Sequence, residues 1–136
     1  MEKYLRKLKD HGLKVTERRK GIIQIFKEKG VHLTPHEVWK ELQSRIDKCG
    51  LPSIYRNLES LTECGILTRI EEHDNERHYA LCSADREEHH HHITCVECGK
   101  VEALNLCMLQ DRQQINGYEI VDHFMQVNGI CSDCNV

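Results

Sequence analysis

Ser53-Ile-Tyr-Arg-Asn-Leu-Glu-Ser-Leu-Thr-Glu-Cys-Gly-Ile-Leu-Thr-Arg-Ile70 is the stretch that decides the fold. Ile54, Leu58 and Leu61 recur at the spacing of one helix face, Ser53 offers an N-cap hydroxyl, and Gly65 suits the left-handed residue that closes a helix. Ile66 to Ile70 then reads as a strand. A polar turn around His73-Asp74-Asn75 separates it from a second strand-like run, Arg77-His78-Tyr79-Ala80-Leu81. With the helices that precede it, a helix running straight into a two-stranded hairpin makes a winged helix-turn-helix.

Upstream residues supply the remaining helices. Tyr4, Leu5 and Leu8 belong to a first helix broken at Gly12. Thr16 caps a second, whose Ile22, Ile23, Ile25 and Phe26 face inward until Gly30 stops it. Thr34-Pro35 opens a third with Val38, Trp39 and Leu42 on its buried stripe, and Gly50-Leu51-Pro52 breaks the chain before Ser53.

Downstream, residues 83–88 are polar and acidic, and the composition then turns sharply toward histidine and cysteine. The expected organisation is therefore a winged helix over 1–82, a hinge at 83–88, and a small α+β metal-binding domain over 89–136, making the chain α+β as a whole. His90 to Thr94, Lys100 to Leu104 and Tyr118 to Val127 read as strands, with a short helix expected near Leu106 to Ile115.

Charge divides the same way. Residues 1–70 carry 15 Lys and Arg against 9 Asp and Glu, whereas residues 71–136 carry 4 against 13. Only the first part suits a polyanion. No secretory leader or apolar run of about 20 residues is legible, so a cytoplasmic protein with no membrane partner is expected. In that compartment the eight cysteines are ligands or redox groups rather than disulfides.

Their spacing favours ligands. Cys95-Val-Glu-Cys98 and Cys131-Ser-Asp-Cys134 are two CxxC pairs, each turning both thiolates toward one point, and together they complete a tetrahedral S4 shell for structural Zn(II). Four histidines, His89 to His92, run into the first pair. In a strand, alternation sends His90 and His92 to one face and His89 and His91 to the other, where His123 and Glu102 can join the latter pair in a further candidate site.

Five ordered motifs carry a resemblance: Gly12-Leu-Lys-Val-Thr-Glu-Arg-Arg19, His32-Leu-Thr-Pro-His-Glu-Val-Trp39, Ser53-Ile-Tyr-Arg-Asn-Leu58, His89-His-His-His-Ile-Thr-Cys-Val-Glu-Cys-Gly-Lys-Val101 and Cys131-x-x-Cys134. Over essentially its whole length the chain resembles the ferric uptake regulator family of metal-dependent bacterial repressors. The resemblance implies a homodimer, with 89–136 as its dimerisation domain, on a double-stranded DNA operator, with the recognition helix beginning near Ser53 and with Tyr55 and Arg56 facing DNA. Arg56 suits phosphates or guanine edges, and Tyr55 a thymine methyl. Asn57 lies on the same helix, and Lys14, Arg18, Arg19 and Lys20 suit backbone phosphates. The resemblance also implies a regulatory metal site between the domains, to which His32, His90 and His92 contribute.

Two departures bear on the metal. Iron- and peroxide-sensing members usually carry carboxylates where this chain has Ala80 and Ala103, while Cys82 resembles the thiolate of zinc-sensing members. A His/thiolate shell suits Zn(II), and a zinc-responsive repressor of metal-uptake genes is expected. An Fe(II)- or Mn(II)-responsive, or peroxide-responsive, regulator is the alternative, with oxygen donors from Glu102 or the Glu71-Glu72-His73 turn. A zinc enzyme would need an open metal position beside a general base, and no HExxH or HxE…PCxxC arrangement is present. A thiol-redox or zinc-buffering protein would account for the cysteines alone, so no enzyme is expected. Cys64 and Cys107 read as small apolar packers, and Cys49 carries no assignment.

Overall fold

The computed structural model describes residues 1–46, 48–82, 90–105, 107, 109 and 112–135. The expected hinge at 83–88 and His89 lie outside them. Four helices come first, α1 (Glu2–Asp10), α2 (Glu17–Lys29), α3 (Pro35–Gln43) and α4 (Leu51–Glu63). An antiparallel hairpin of β1 (Leu67–Ile70) and β2 (His78–Leu81) completes the α+β winged helix.

Local chemistry sets most boundaries. Thr16 accepts a hydrogen bond from the Arg19 amide, and α2 ends at Gly30 with φ 69°. Thr34 and Glu37 form a reciprocal capping box with Pro35 in the first turn of α3. Ser53 does not cap α4. The cap is Gly50, without a side-chain bond, because Leu51-Pro52 enters the first turn, where proline's missing N–H leaves no donor to satisfy.

Tyr4, Leu8, Ile22, Ile25, Phe26, Val38, Leu42, Ile54, Leu58, Leu61, Ile66 and Tyr79 meet in one core. Every buried member of that cluster falls between residues 4 and 79.

The second half is a small three-stranded sheet in the order β4-β3-β7, with β3 (His91–Cys95) central, β4 (Val101–Leu104) antiparallel to it and β7 (Gln126–Gly129) parallel. Two expectations change here. Gln114–Ile115 is strand β5, paired with β6 (Tyr118–Glu119), rather than the end of a helix. The cause is Asn116-Gly117, whose φ values of 52° and 83° make a two-residue hairpin turn. The remaining positions of that expected helix include Leu106, Met108, Gln110 and Asp111, which lie outside the described residues. The single long strand from Tyr118 to Val127 is instead β6 and β7, separated by irregular backbone.

Short polar contacts join the halves. Val31 bridges Lys100 and Leu33 bridges Tyr79, so residues 31–33 are stitched to the second half on one side and to the wing on the other. The Gln126 side-chain amide, on β7, donates to the Glu71 carbonyl just beyond β1 at 3.1 Å and accepts from the Glu71 amide at 2.9 Å. No helix among the described residues is long and apolar enough to cross a membrane.

Candidate metal centres and nucleic-acid interface

The chain turns sharply after β3. Gly99 takes φ 80° and its amide donates to the Cys95 carbonyl at 3.0 Å, which folds Cys98 back over Cys95. A second turn at 131–134, closed by the Cys134 amide on the Cys131 carbonyl at 3.1 Å, does the same for the other pair. The four sulfurs lie within 4.8 Å of one another. Cys98 Sγ and Cys131 Sγ are 3.7 Å apart, close to the edge of a tetrahedron whose centre lies about 2.3 Å from each sulfur. Backbone amides, those of Cys131 and then Cys98 foremost, bring the Cys95 thiol down to about 6. The Cys131 sulfur, followed by burial, pushes Cys134 up to about 12. Four thiolates ionise together here only around a dication, and the donor set fits zinc.

The histidine strand uses its two faces differently. His90 Nε2 and His92 Nε2 lie 3.2 and 3.7 Å from Cys82 Sγ, with the two rings 4.8 Å apart between centroids. Burial, reinforced by His90, drives His92 down to about 4, so its imidazole is neutral and available to a metal at physiological pH. On the opposite face, His91 Nε2 lies 3.1 Å from His123 Nε2 and 3.4 Å from Cys107 Sγ. Cys107 Sγ is in turn 3.0 Å from His123 Nε2. Both groups border one cleft of about 860 Å³, which gives an ion a path to either.

Three site assignments change. Cys107 is a member of the His91–His123 cluster and not an apolar packer; it comes from irregular chain where no periodicity announces which way a side chain points. Cys64, by contrast, is buried in the core as expected. Glu102 stays out. It pairs with Ile93, two positions along from His91, and its exposed carboxylate lies 3.9 Å from Lys100. His32 does not join Cys82, His90 and His92. Its Nδ1 is 3.1 Å from His78 Nδ1 and its Nε2 is 3.0 Å from Glu72. Burial lowers the His32 pKa against the opposing pull of Glu72. Ala103 stands directly opposite His92 in the ladder, so a carboxylate at that position would sit beside the cluster; this chain withholds it.

On the first half, Tyr55 and Arg56 are exposed on α4, as is Lys14 ahead of α2. Lys20 is half-buried and 3.9 Å from Glu17. Four other residues expected at DNA are engaged with one another. Arg18 donates to Ser53 Oγ at 3.0 Å and to the Lys48 carbonyl at 3.3 Å. Arg19 donates to Asn57 Oδ1 at 3.2 Å and to the Lys14 carbonyl at 2.7 Å, and Asn57 donates to the Ser53 carbonyl at 2.9 Å. This network fastens α2 to the start of α4 and fixes how Tyr55 and Arg56 are presented.

Comparison with known proteins gives a consistent picture. A sequence profile of the ferric uptake regulator family matches residues 10–128. The ferric uptake regulation protein of Neisseria gonorrhoeae is 40% identical over 98% of this chain and 96% of its own length. The Helicobacter pylori ferric uptake regulator Fur, whose structure was described as revealing three functional metal binding sites, is 25% identical, with a TM-score of 0.57 over 95% of this chain and 87% of that one. A zinc uptake regulator complexed with zinc and DNA is 18% identical and shares the fold, with a TM-score of 0.72 over 93% of this chain and 87% of that one. The chain therefore belongs to the ferric uptake regulator family of metal-dependent, DNA-binding transcription regulators.

Proposed function

We propose that this regulator is a homodimeric, zinc-responsive repressor of metal-uptake genes. The observation that carries the reading is the convergence of Cys82, His90 and His92, a soft thiolate and two imidazoles. Zn(II) accepts that donor set readily, whereas Fe(II) and Mn(II) sites draw more on oxygen. Cys82 immediately follows β2 and the histidines open β3, so an ion held by all three cross-links the wing to the second half across residues 83–89. Residues 1–82 act as the DNA-binding head, 83–88 as the hinge and 89–136 as the dimerisation domain. The link limits the orientations of two heads on a dimer, and affinity for metal becomes affinity for paired half-sites.

Zinc in the S4 knot is structural, since it ties the end of β3 to residues 131–134. Among the described residues, the second half contributes no buried side chain to the main core and exposes Val121, Phe124 and Tyr118. That thin packing supports dimerisation there. Tyr55 and Arg56, with Lys14 and Lys20, form the DNA face; Arg18, Arg19, Ser53 and Asn57 position it. Family membership favours a regulator and leaves the zinc-enzyme and thiol-redox readings without support.

A second reading has its own support. The Neisseria relative, 40% identical, is a ferric uptake regulation protein, which favours Fe(II) as the regulatory ion. The deciding experiment titrates promoter DNA binding against buffered free Zn(II), Fe(II) and Mn(II), with wild type and Cys82→Ser compared at each. Zinc sensing requires activation at lower free Zn(II) than free Fe(II), and loss of that response in Cys82→Ser. Activation by Fe(II) at the lower free concentration gives the assignment to iron, and a normal zinc response in Cys82→Ser removes Cys82 from the sensing shell.

A further inference from the structure

His32 and His78 hold an arrangement that neither the S4 knot nor the Cys82 cluster uses. Their Nδ1 atoms face each other at 3.1 Å, with the rings edge-on and 4.9 Å between centroids. Each ring also meets a carboxylate at its other nitrogen: His32 Nε2 lies 3.0 Å from Glu72, and His78 Nε2 lies 2.7 Å from Asp74. A carboxylate accepts hydrogen bonds, so it selects the tautomer carrying its proton on Nε2. Applied to both rings, that choice leaves two bare lone pairs on nitrogens only 3.1 Å apart. Two acceptors in that position repel unless a cation lies between them.

We propose that His32 and His78, oriented by Glu72 and Asp74, bind a divalent first-row metal ion through their two Nδ1 atoms. The spacing fits. Two nitrogens each about 2.1 Å from one ion stand roughly 3.0 Å apart at a right angle and roughly 3.4 Å apart at the tetrahedral angle. The carboxylate–histidine–metal relay on both ligands is the usual way such imidazoles are fixed and made more basic. Two imidazoles without sulfur, their remaining positions open to water, suit harder ions than the Cys82 cluster does, Fe(II) and Mn(II) among them.

Location gives the site a consequence. His32 lies between Val31, which bridges Lys100, and Leu33, which bridges Tyr79, and its own amide donates to the Gly99 carbonyl at 3.1 Å. His78 opens β2 of the wing. An ion shared by the two pins the wing to the segment that touches the zinc knuckle. This couples head orientation to a second ion, independently of Cys82.

The competing occupant is a proton, with one imidazole charged between the two carboxylates. Mn(II) binding separates them, measured by equilibrium dialysis and electron paramagnetic resonance on the full-length protein carrying only its S4 zinc. Wild type should bind an equivalent of Mn(II) per chain at this imidazole pair. His78→Gln should lose that equivalent, and Asp74→Asn should weaken it about tenfold. Unchanged Mn(II) stoichiometry and affinity in His78→Gln overturns the site, as does a wild type that binds no Mn(II). Should His78→Gln fail to fold, Mn(II) added to wild type labelled at histidine should broaden the His32 and His78 ring signals first. Prior broadening of His91 and His123 overturns the proposal. Because Cys82→Ser tests the zinc response and His78→Gln tests Mn(II) binding, either idea can fail alone.

Discussion

Cys82→Ser should keep the S4 zinc while requiring at least about tenfold more free zinc for promoter binding, a loss of about 1.4 kcal/mol in coupling. Zinc content and promoter titration check both halves of that statement. His92 gives a pH prediction. Its folded pKa, held near 4 by burial and then by His90, lies below the value of 6.5 expected in the unfolded chain. The unfolded state therefore binds the proton first, and His92 subtracts stability as pH falls from about 6.5 toward 4, with none of that loss above 6.5. Denaturant midpoints of protein lacking regulatory metal should show this slope, flattened in His92→Gln. Individual residues are unevenly legible in the sequence. Strand alternation alone separates His90 and His92 from His91. Cys107 is not legible, because a thiol in irregular chain carries no periodic signature. Family resemblance puts His32 in a shell that the fold does not assemble around it, since its two ring nitrogens meet His78 and Glu72 instead.

Helix boundaries owe most to caps, and α2 and α3 are readable from Thr16, Gly30 and the Thr34–Glu37 pair because one or two side chains fix each end. The start of α4 is harder to read, as Ser53 resembles a cap while Pro52 ahead of it is compatible with a first turn already under way. The β5–β6 hairpin is also written in the sequence, in Asn116-Gly117, but the apolar residues before it suggest a helix. Element placement separates two kinds of arginine. Arg56→Ala on the exposed face of α4 should weaken promoter binding by about 1–3 kcal/mol, with the thermal midpoint unchanged. Arg19→Ala removes the tie between α2 and Asn57, so it should lower the thermal midpoint as well as affinity. Calorimetry beside DNA titration distinguishes them; equal melting temperatures for the two variants would contradict the positioning role. At the knuckle, Cys95→Ser should lose zinc and the dimer together, because structural zinc supplies on the order of 10 kcal/mol of folding free energy. Metal analysis with sedimentation tests it, and a stable zinc-free dimer would contradict the assignment.

Across the whole molecule the packing is lopsided. The buried core cluster lies between residues 4 and 79, while the second half depends on a three-stranded sheet and its sulfur knot. A fragment of residues 1–82 should therefore fold alone, yet bind promoter DNA far more weakly than the full chain, because one head lacks a partner half-site. Circular dichroism and DNA titration check the two claims separately. The uneven charge of the chain anticipates this division, whereas the parallel pairing of β3 with β7 has no local signature. That pairing also sets an order of events during synthesis. β3 cannot gain its parallel neighbour, nor Cys95 and Cys98 their two remaining sulfurs, until residues 126–134 have left the ribosome. At about 5–20 residues per second, residue 134 is itself added roughly 3–10 s after residue 82. The residues of the main core, 4 to 79, are thus all present in each nascent chain before the second half can close. Closure of the sulfur knot comes last, and free zinc at that moment should set how quickly new protein enters the working pool.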